Sequence, residues 1–171
     1  MRRVVCLGIA LTVTMACSLT SAAHEIKAGT LLLHHPWVHA AKAGSASTDG
    51  YLMIRNMGSK PDRLLGATLE GAGAAVVVQL SVPSDAGALC RLDKGLEIAP
   101  GELVELKPGK IQLLFGAVAR SLRQDIYATG TLLFEQAGPV NIEFFIESAD
   151  AKTASHAATG ALAACPGPLT Q

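Results

Sequence analysis

The sequence predicts an all-β protein built as an antiparallel β-sandwich, and three observations predict it. Short runs of aliphatic and β-branched residues recur after residue 30, each bounded by Gly, Pro, Asn or Asp. Residues 140–146 alternate in the manner of a half-buried strand. Val140, Ile142, Phe144 and Ile146 fall on one face, with Asn141 and Glu143 opposite. Between runs, Lys107-Pro108-Gly109-Lys110 is a strong hairpin signal, because Pro presets φ and Gly completes the turn. Short strands at this spacing pack as a sandwich.

The elements follow in order. A strand is expected at 30–34, then a loop at 40–49 whose Ala, Gly and Ser content reads as mobile. Strands are expected at 51–56, 64–70 and 75–82. Within the last, Val76-Val77-Val78 lacks alternation and reads as a strand covered on both faces. Asn56-Met57-Gly58-Ser59 and Ala99-Pro100-Gly101 place Gly where positive φ costs little. Strands at 103–106 and 111–115 flank the Pro-Gly hairpin. Residues 117–122 are expected to form a short helical turn, and strands at 126–134 and 140–146 complete the set. From residue 150 the chain is rich in Ala, Thr, Gly and Pro, with too few large apolar groups to fold alone. No internal repeat is present.

The amino terminus reads as a secretory signal. Arg2 and Arg3 precede an apolar run, and Ser21-Ala22-Ala23 supplies small residues for cleavage, so the mature chain is expected to begin at His24. The run is too short to span a membrane. Thr14-Met15-Ala16 before Cys17 lacks the aliphatic residue that precedes lipid-attached cysteines, which favours the cleaved signal. The expected organisation is a signal peptide at 1–23, a sandwich domain at 24–149 and a low-complexity tail at 150–171. A periplasmic location follows from it. The whole chain holds 14 basic and 14 acidic residues, and cleavage removes two basic ones, leaving a slightly acidic protein. Nucleic-acid binding, which needs a concentrated basic patch, is excluded, and so is an integral membrane protein. Cys90 and Cys165 survive cleavage, and in an oxidising compartment an intramolecular disulfide is the expectation. Two free thiols, an intermolecular bridge or a soft metal site are the alternatives.

Several blocks carry a resemblance. They are His35-Pro36-Trp37, Gly50-Tyr51-Leu52-Met53-Ile54-Arg55-Asn56, Pro61-Asp62-Arg63-Leu64-Leu65-Gly66-Ala67, Gly95-Leu96-Glu97-Ile98-Ala99-Pro100-Gly101 and Val104-Glu105-Leu106-Lys107-Pro108-Gly109. In this order and spacing, over residues 34–147, the chain resembles the periplasmic copper chaperones of the PCu(A)C-like family, which supply copper to cytochrome oxidase. The resemblance implies a cupredoxin-like Greek-key sandwich. It also implies a Cu(I) site of imidazoles and thioethers, ligands suited to copper. On that pattern the ligand positions hold Gln79, Leu89, Gln112 and Leu114. Each keeps rough shape and lacks the donor, and swaps of conserved volume leave a sandwich folded. Met53 and Met57 read as a strand residue and a turn residue. The usual site is therefore expected to bind no copper, and Gln79 and Gln112 are candidates for a hydrogen bond in its place.

An alternative metal site would use His24, with its free α-amine, together with His34, His35 and His39, and could hold copper. The competing reading makes His35 and Trp37 structural and leaves the other imidazoles, His156 included, in water. Catalysis has no support, since no nucleophile elbow, His-Glu-x-x-His or phosphate loop occurs. Asp62-Arg63 reads as a structural turn, and Glu97, Glu102 and Glu105 as a solvated face. The expected function is an exported protein of the copper chaperone family, linked by resemblance to oxidase assembly, monomeric or weakly associated. The alternative is a protein-interaction module in which Leu80, Leu89, Leu113, Leu114 and Phe115 form an apolar docking end.

Overall fold

The computed structural model describes residues 25–80 and 89–154. The strands are β1 (Glu25–Ala28), β2 (Leu31–His39), β3 (Ser47–Asn56), β4 (Asp62–Leu69), β5 (Ala75–Leu80) and β6 (Leu89–Arg91). They continue as β7 (Leu96–Ile98), β8 (Leu103–Leu106), β9 (Ile111–Gly116), β10 (Tyr127–Phe134) and β11 (Pro139–Glu147). The described residues are all-β, as the sequence predicts.

The strands run in the order β2, β11, β10, β4, β5, β9, β3, and β3 pairs back to β2. The sheet thus closes on itself as a flattened barrel, with β1 and β8 added at the margins and β6 and β7 laid against β5 and β4. Closure leaves the seven strands of the circuit paired on both sides, which removes the sticky edges of an open sheet. One pairing departs from the antiparallel expectation. β11 runs parallel to β2, with Phe145 opposite Trp37 and Glu147 opposite His39.

Alternation fills the interior. Leu31, Leu33, Val38, Leu52, Ile54, Leu113, Phe115, Phe144 and Ile146 are buried, and Phe115 meets Phe144 edge to face at 5.7 Å. The predicted apolar face of β11 points inward, while Asn141 and Glu143 stay exposed. Val77 and Val78, on opposite faces of β5, are both buried, as the unbroken valine run implies.

Several local expectations are corrected. β2 continues through His35-Pro36-Trp37 to His39, instead of ending at residue 34. It does so by a β-bulge: His34 pairs Met53 but Trp37 pairs Tyr51, so β2 spends one extra residue there. His35 takes a left-handed φ of 48°, and Pro36, which has no N–H to donate, fits the break in the ladder. β3 starts at Ser47, so the expected loop at 40–49 is shorter. Residues 117–122 form no helical turn. Ala117 has a φ of 42°, and Leu122 bridges Ala41 through 2.8 and 3.1 Å hydrogen bonds. β1, β6 and β7, each only three or four residues long, are additional to the expected strands.

Asp62 and Arg63 open β4 instead of forming a turn. Asp62 is buried and accepts hydrogen bonds from the backbone N–H groups of Arg63, Gln136 and Ala137 at 2.7, 2.9 and 3.0 Å. Arg63 pairs with Glu97 and Glu135 at 2.7 and 3.3 Å. The block the sequence offers as a charged pair is a brace between β4, β7 and the β10–β11 turn. Of the solvated-face glutamates, Glu97 joins that brace, Glu102 accepts from the Ala99 N–H at 2.7 Å and Glu105 pairs with Lys107. The expected signal peptide, most of the expected tail, His24, His156 and Cys165 lie outside the described residues.

Candidate functional site

Strand register decides which side chains share a face, because cross-strand partners point the same way. Val78 lies opposite Gln112 and Val76 opposite Leu114, so Gln112 and Leu114 project from the outer face of β5–β9. Gln79 lies opposite Ile111, which is buried on the inner face. Leu80, paired with Leu89, returns to the outer face beside Val78. The structure therefore brings Gln112, Leu114, Leu80 and Leu89 to one surface and directs Gln79 to the other.

The expected Gln79–Gln112 hydrogen bond does not form. Gln112 is buried and its Nε2 donates to Asp49 Oδ1 at 2.7 Å. The reason is geometric. β3 also pairs β9, with Asp49 opposite Leu114, so a carboxylate from β3 arrives beside the amide on the shared outer face. Nothing in the local sequence of β9 names that partner, 63 residues away.

Around Asp49 the outer face is polar and aromatic. Trp37 stacks tilted on Tyr51 with centroids 4.4 Å apart, and both rings are buried. His39 meets Trp37 and Tyr51 edge-on at 5.2 and 5.4 Å. Its Nε2 lies 2.9 Å from the Ala151 carbonyl, which ties the segment after β11 to β2 when that nitrogen carries the proton. Partial burial raises the Asp49 carboxyl above the usual carboxylate range, with His39 and the Gln112 amide pulling it partly back. The Tyr51 hydroxyl is pushed upward too, by burial first and by the Asp49 charge second.

Beside this cluster lies an open groove of about 750 Å³. His39 and Asp49 line it, Thr48 and Leu122 lie buried in its base, and Lys42 and Arg123 stand exposed at its rim. Thr48 is fixed there by its hydroxyl, which donates to the His39 carbonyl at 2.8 Å. Its walls come from chain stretches far apart in sequence, so the sequence alone gave no signal for it.

The other predicted residues are placed as follows. His34 and His35 sit at the β2 bulge with ring centroids 6.4 Å apart, and His34 Nδ1 lies 3.7 Å from Glu25. His39 is at the far end of the same strand. Among the described residues, no group of three or more His, Cys, Asp and Glu is arranged to hold a metal ion. Cys90 is exposed on β6, opposite Gln79. Leu113 and Phe115 are fully buried, so the apolar docking end expected to include them reduces to Leu80, Leu89 and Leu114. Met53 is half-buried on β3 and Met57 exposed in its turn.

A family model described as "Putative lipoprotein LpqE-like" matches residues 31–146. The chain belongs to this LpqE-like family. The LpqE-like domain is similar in fold to solved PCuAC domains. It shares 28% identity with the apo PCuAC domain from PmoF1, with a TM-score of 0.61 over 73% of this chain and 99% of that one. The apo PCuAC domain from PmoF2 shares 26% over 75% and 98%, again at 0.61. CuI-DR1885 from Deinococcus radiodurans shares 15% over 75% and 83%, at 0.56, a likeness of fold alone. No curated protein matches the chain. The cupredoxin-like expectation and the PCuAC resemblance are thereby established. The LpqE-like face at Gln112 and Leu114 offers an amide and an alkyl group, neither of them an imidazole or thioether. No helix among the described residues is long and apolar enough to cross a membrane.

Proposed function

We propose that this LpqE-like protein is an exported, non-catalytic member of the PCuAC group whose usual Cu(I) site no longer binds metal. Exported status rests on the Arg2-Arg3 start and the Ser21-Ala22-Ala23 pattern, with cleavage near Ala23. The observation that carries the proposal is the Gln112–Asp49 hydrogen bond. An amide oxygen and nitrogen are poor ligands for Cu(I), which favours thiolate and thioether donors. Gln112 is also buried and already partnered, so ligating a metal would cost it that bond. Leu114 and Leu89 supply no donor. Copper handling then passes to other groups, with the amino-terminal His24 and its α-amine, joined by His34, His35 or His39, as the alternative anchor. The likeness to PCuAC domains supports work within copper or oxidase-assembly pathways.

A second reading is favoured by one observation: Leu89 is 46% exposed and paired with Leu80, on the same face as Leu114. Apolar exposure of this kind suits a protein-interaction role for the vacated face. Anaerobic Cu(I) titration of protein starting at His24, against a competing chelator and with Cu(II) in parallel, separates these readings. No binding of either ion supports the interaction role. Cu(II) binding lost on His24→Ala moves the site to the amino terminus. Tight Cu(I) binding that survives replacement of the histidines and cysteines refutes the vacated site.

A further inference from the structure

The groove beside Asp49 has charges of both signs at separate places. Asp49 is partly buried in it, and its Oδ1 is held by Gln112, which leaves Oδ2 without a hydrogen bond from any described residue. Lys42 and Arg123 stand exposed at the rim on two neighbouring segments, one following β2 and the other preceding β10. The Ala41–Leu122 bridge joins those segments side by side, so the two cations are held on one frame. A simple anion entering the groove would meet the Asp49 carboxylate. A simple cation would first meet Lys42 and Arg123. A ligand with a separated ammonium and carboxylate satisfies both ends.

We propose that this groove binds a small zwitterion, an amino acid or short peptide, with its ammonium on Asp49 and its carboxylate toward Lys42 and Arg123. The volume of about 750 Å³ is in the range of small-molecule sites and suits a short peptide better than a single amino acid. The site is independent of copper and of the fate of the Gln112 face as a metal centre. Gln112 acts on it only by orienting Asp49.

The test uses Trp37, the one tryptophan in the chain, which contacts the groove residue His39 edge-on. Triglycine is titrated while Trp37 emission and backbone amide signals of residues 40–49 and 121–124 are followed. N-acetyl-triglycine, which lacks the ammonium, and triglycinamide, which lacks the carboxylate, are titrated alongside. The expected result is a saturable response to triglycine, none to the acetylated peptide and a weaker one to the amide. Asp49→Asn keeps an acceptor for Gln112 and should abolish the response. The double substitution Lys42→Ala and Arg123→Ala should weaken it a few-fold, the scale of exposed charge pairs. Both positions are exposed, so that variant decides the matter if Asp49→Asn fails to fold. The proposal is overturned by no saturable response to triglycine. It is equally overturned by equal responses to all three peptides, or by a folded Asp49→Asn protein that binds as wild type.

Discussion

Asp49 is the residue on which stability and recognition meet. Its carboxyl titrates at about 3.9 in an unfolded chain, and partial burial raises it in the fold. Between those two values the native state holds more protons than the unfolded state. Stability therefore falls as pH rises through that window, and the full cost is present above it. Asp49→Asn removes the titration while retaining an oxygen for Gln112. Its stability relative to wild type should improve from acid to neutral pH and then level off, as measured by urea unfolding across a pH series. A difference that does not change with pH would contradict this account. Asn56 has the opposite character, being wholly structural. It is fully buried, donates to the Lys60 and Ile98 carbonyls at 2.8 and 3.0 Å and accepts from Gly58 N–H at 2.9 Å. Asn56→Ala strands those groups and should cost about 3 kcal/mol in chemical denaturation.

Among the elements, β3 is the organiser. It pairs β2 and β9 along one half and β2 and β8 along the other. Its crossing point is Gly50, where an added Cβ would lie 2.6 Å from Phe115 Cε2 and 3.2 Å from Val38 Cγ1. Both neighbours are fully buried and cannot step aside, so Gly50→Ala should lower stability by about 1–3 kcal/mol through overpacking. Thermal unfolding of the variant checks this, and an unchanged midpoint would show that the core has more slack than its burial indicates. β4 depends on Asp62 in a different way. Removing that carboxylate leaves the Gln136 and Ala137 N–H groups of the β10–β11 turn unpartnered. Asp62→Ala should cost about 2 kcal/mol, with Asp62→Asn costing less because one acceptor remains. Alternation in β11 was legible in the sequence because one face is core and the other water. β1, β6 and β7 were not, because three or four residues give too few alternations to stand out. The His35-Pro36-Trp37 block was legible as a signature. Its role as a bulge was not, because a bulge is defined by the partner strand.

For the whole molecule, closure is the main fact. β11 joins β10 on one side and β2 on the other, so the last described strand locks the first half of the chain to the second. A chain ending at residue 138 should lose the cooperative unfolding transition, because the opened sheet exposes two edges and the core loses Ile142, Phe144 and Ile146. A retained sharp transition in calorimetry would show that the remaining strands form a domain without β11. The non-local pairings also predict slow folding, in the millisecond-to-second range typical of β-rich domains.

The sequence by itself determined the all-β class, most of the longer strands, the inward face of β11 and the absence of imidazole and thioether donors at positions 112 and 114. These follow from local periodicity, turn chemistry and side-chain identity, which need no knowledge of distant partners. Only the tertiary structure decided that Gln79 and Gln112 lie on opposite faces, that Asp49 takes the Gln112 amide, and that Lys42 and Arg123 share a groove. Strand register fixes all three. A shift of one residue would exchange the faces, and that register is set by pairing between segments remote in the chain.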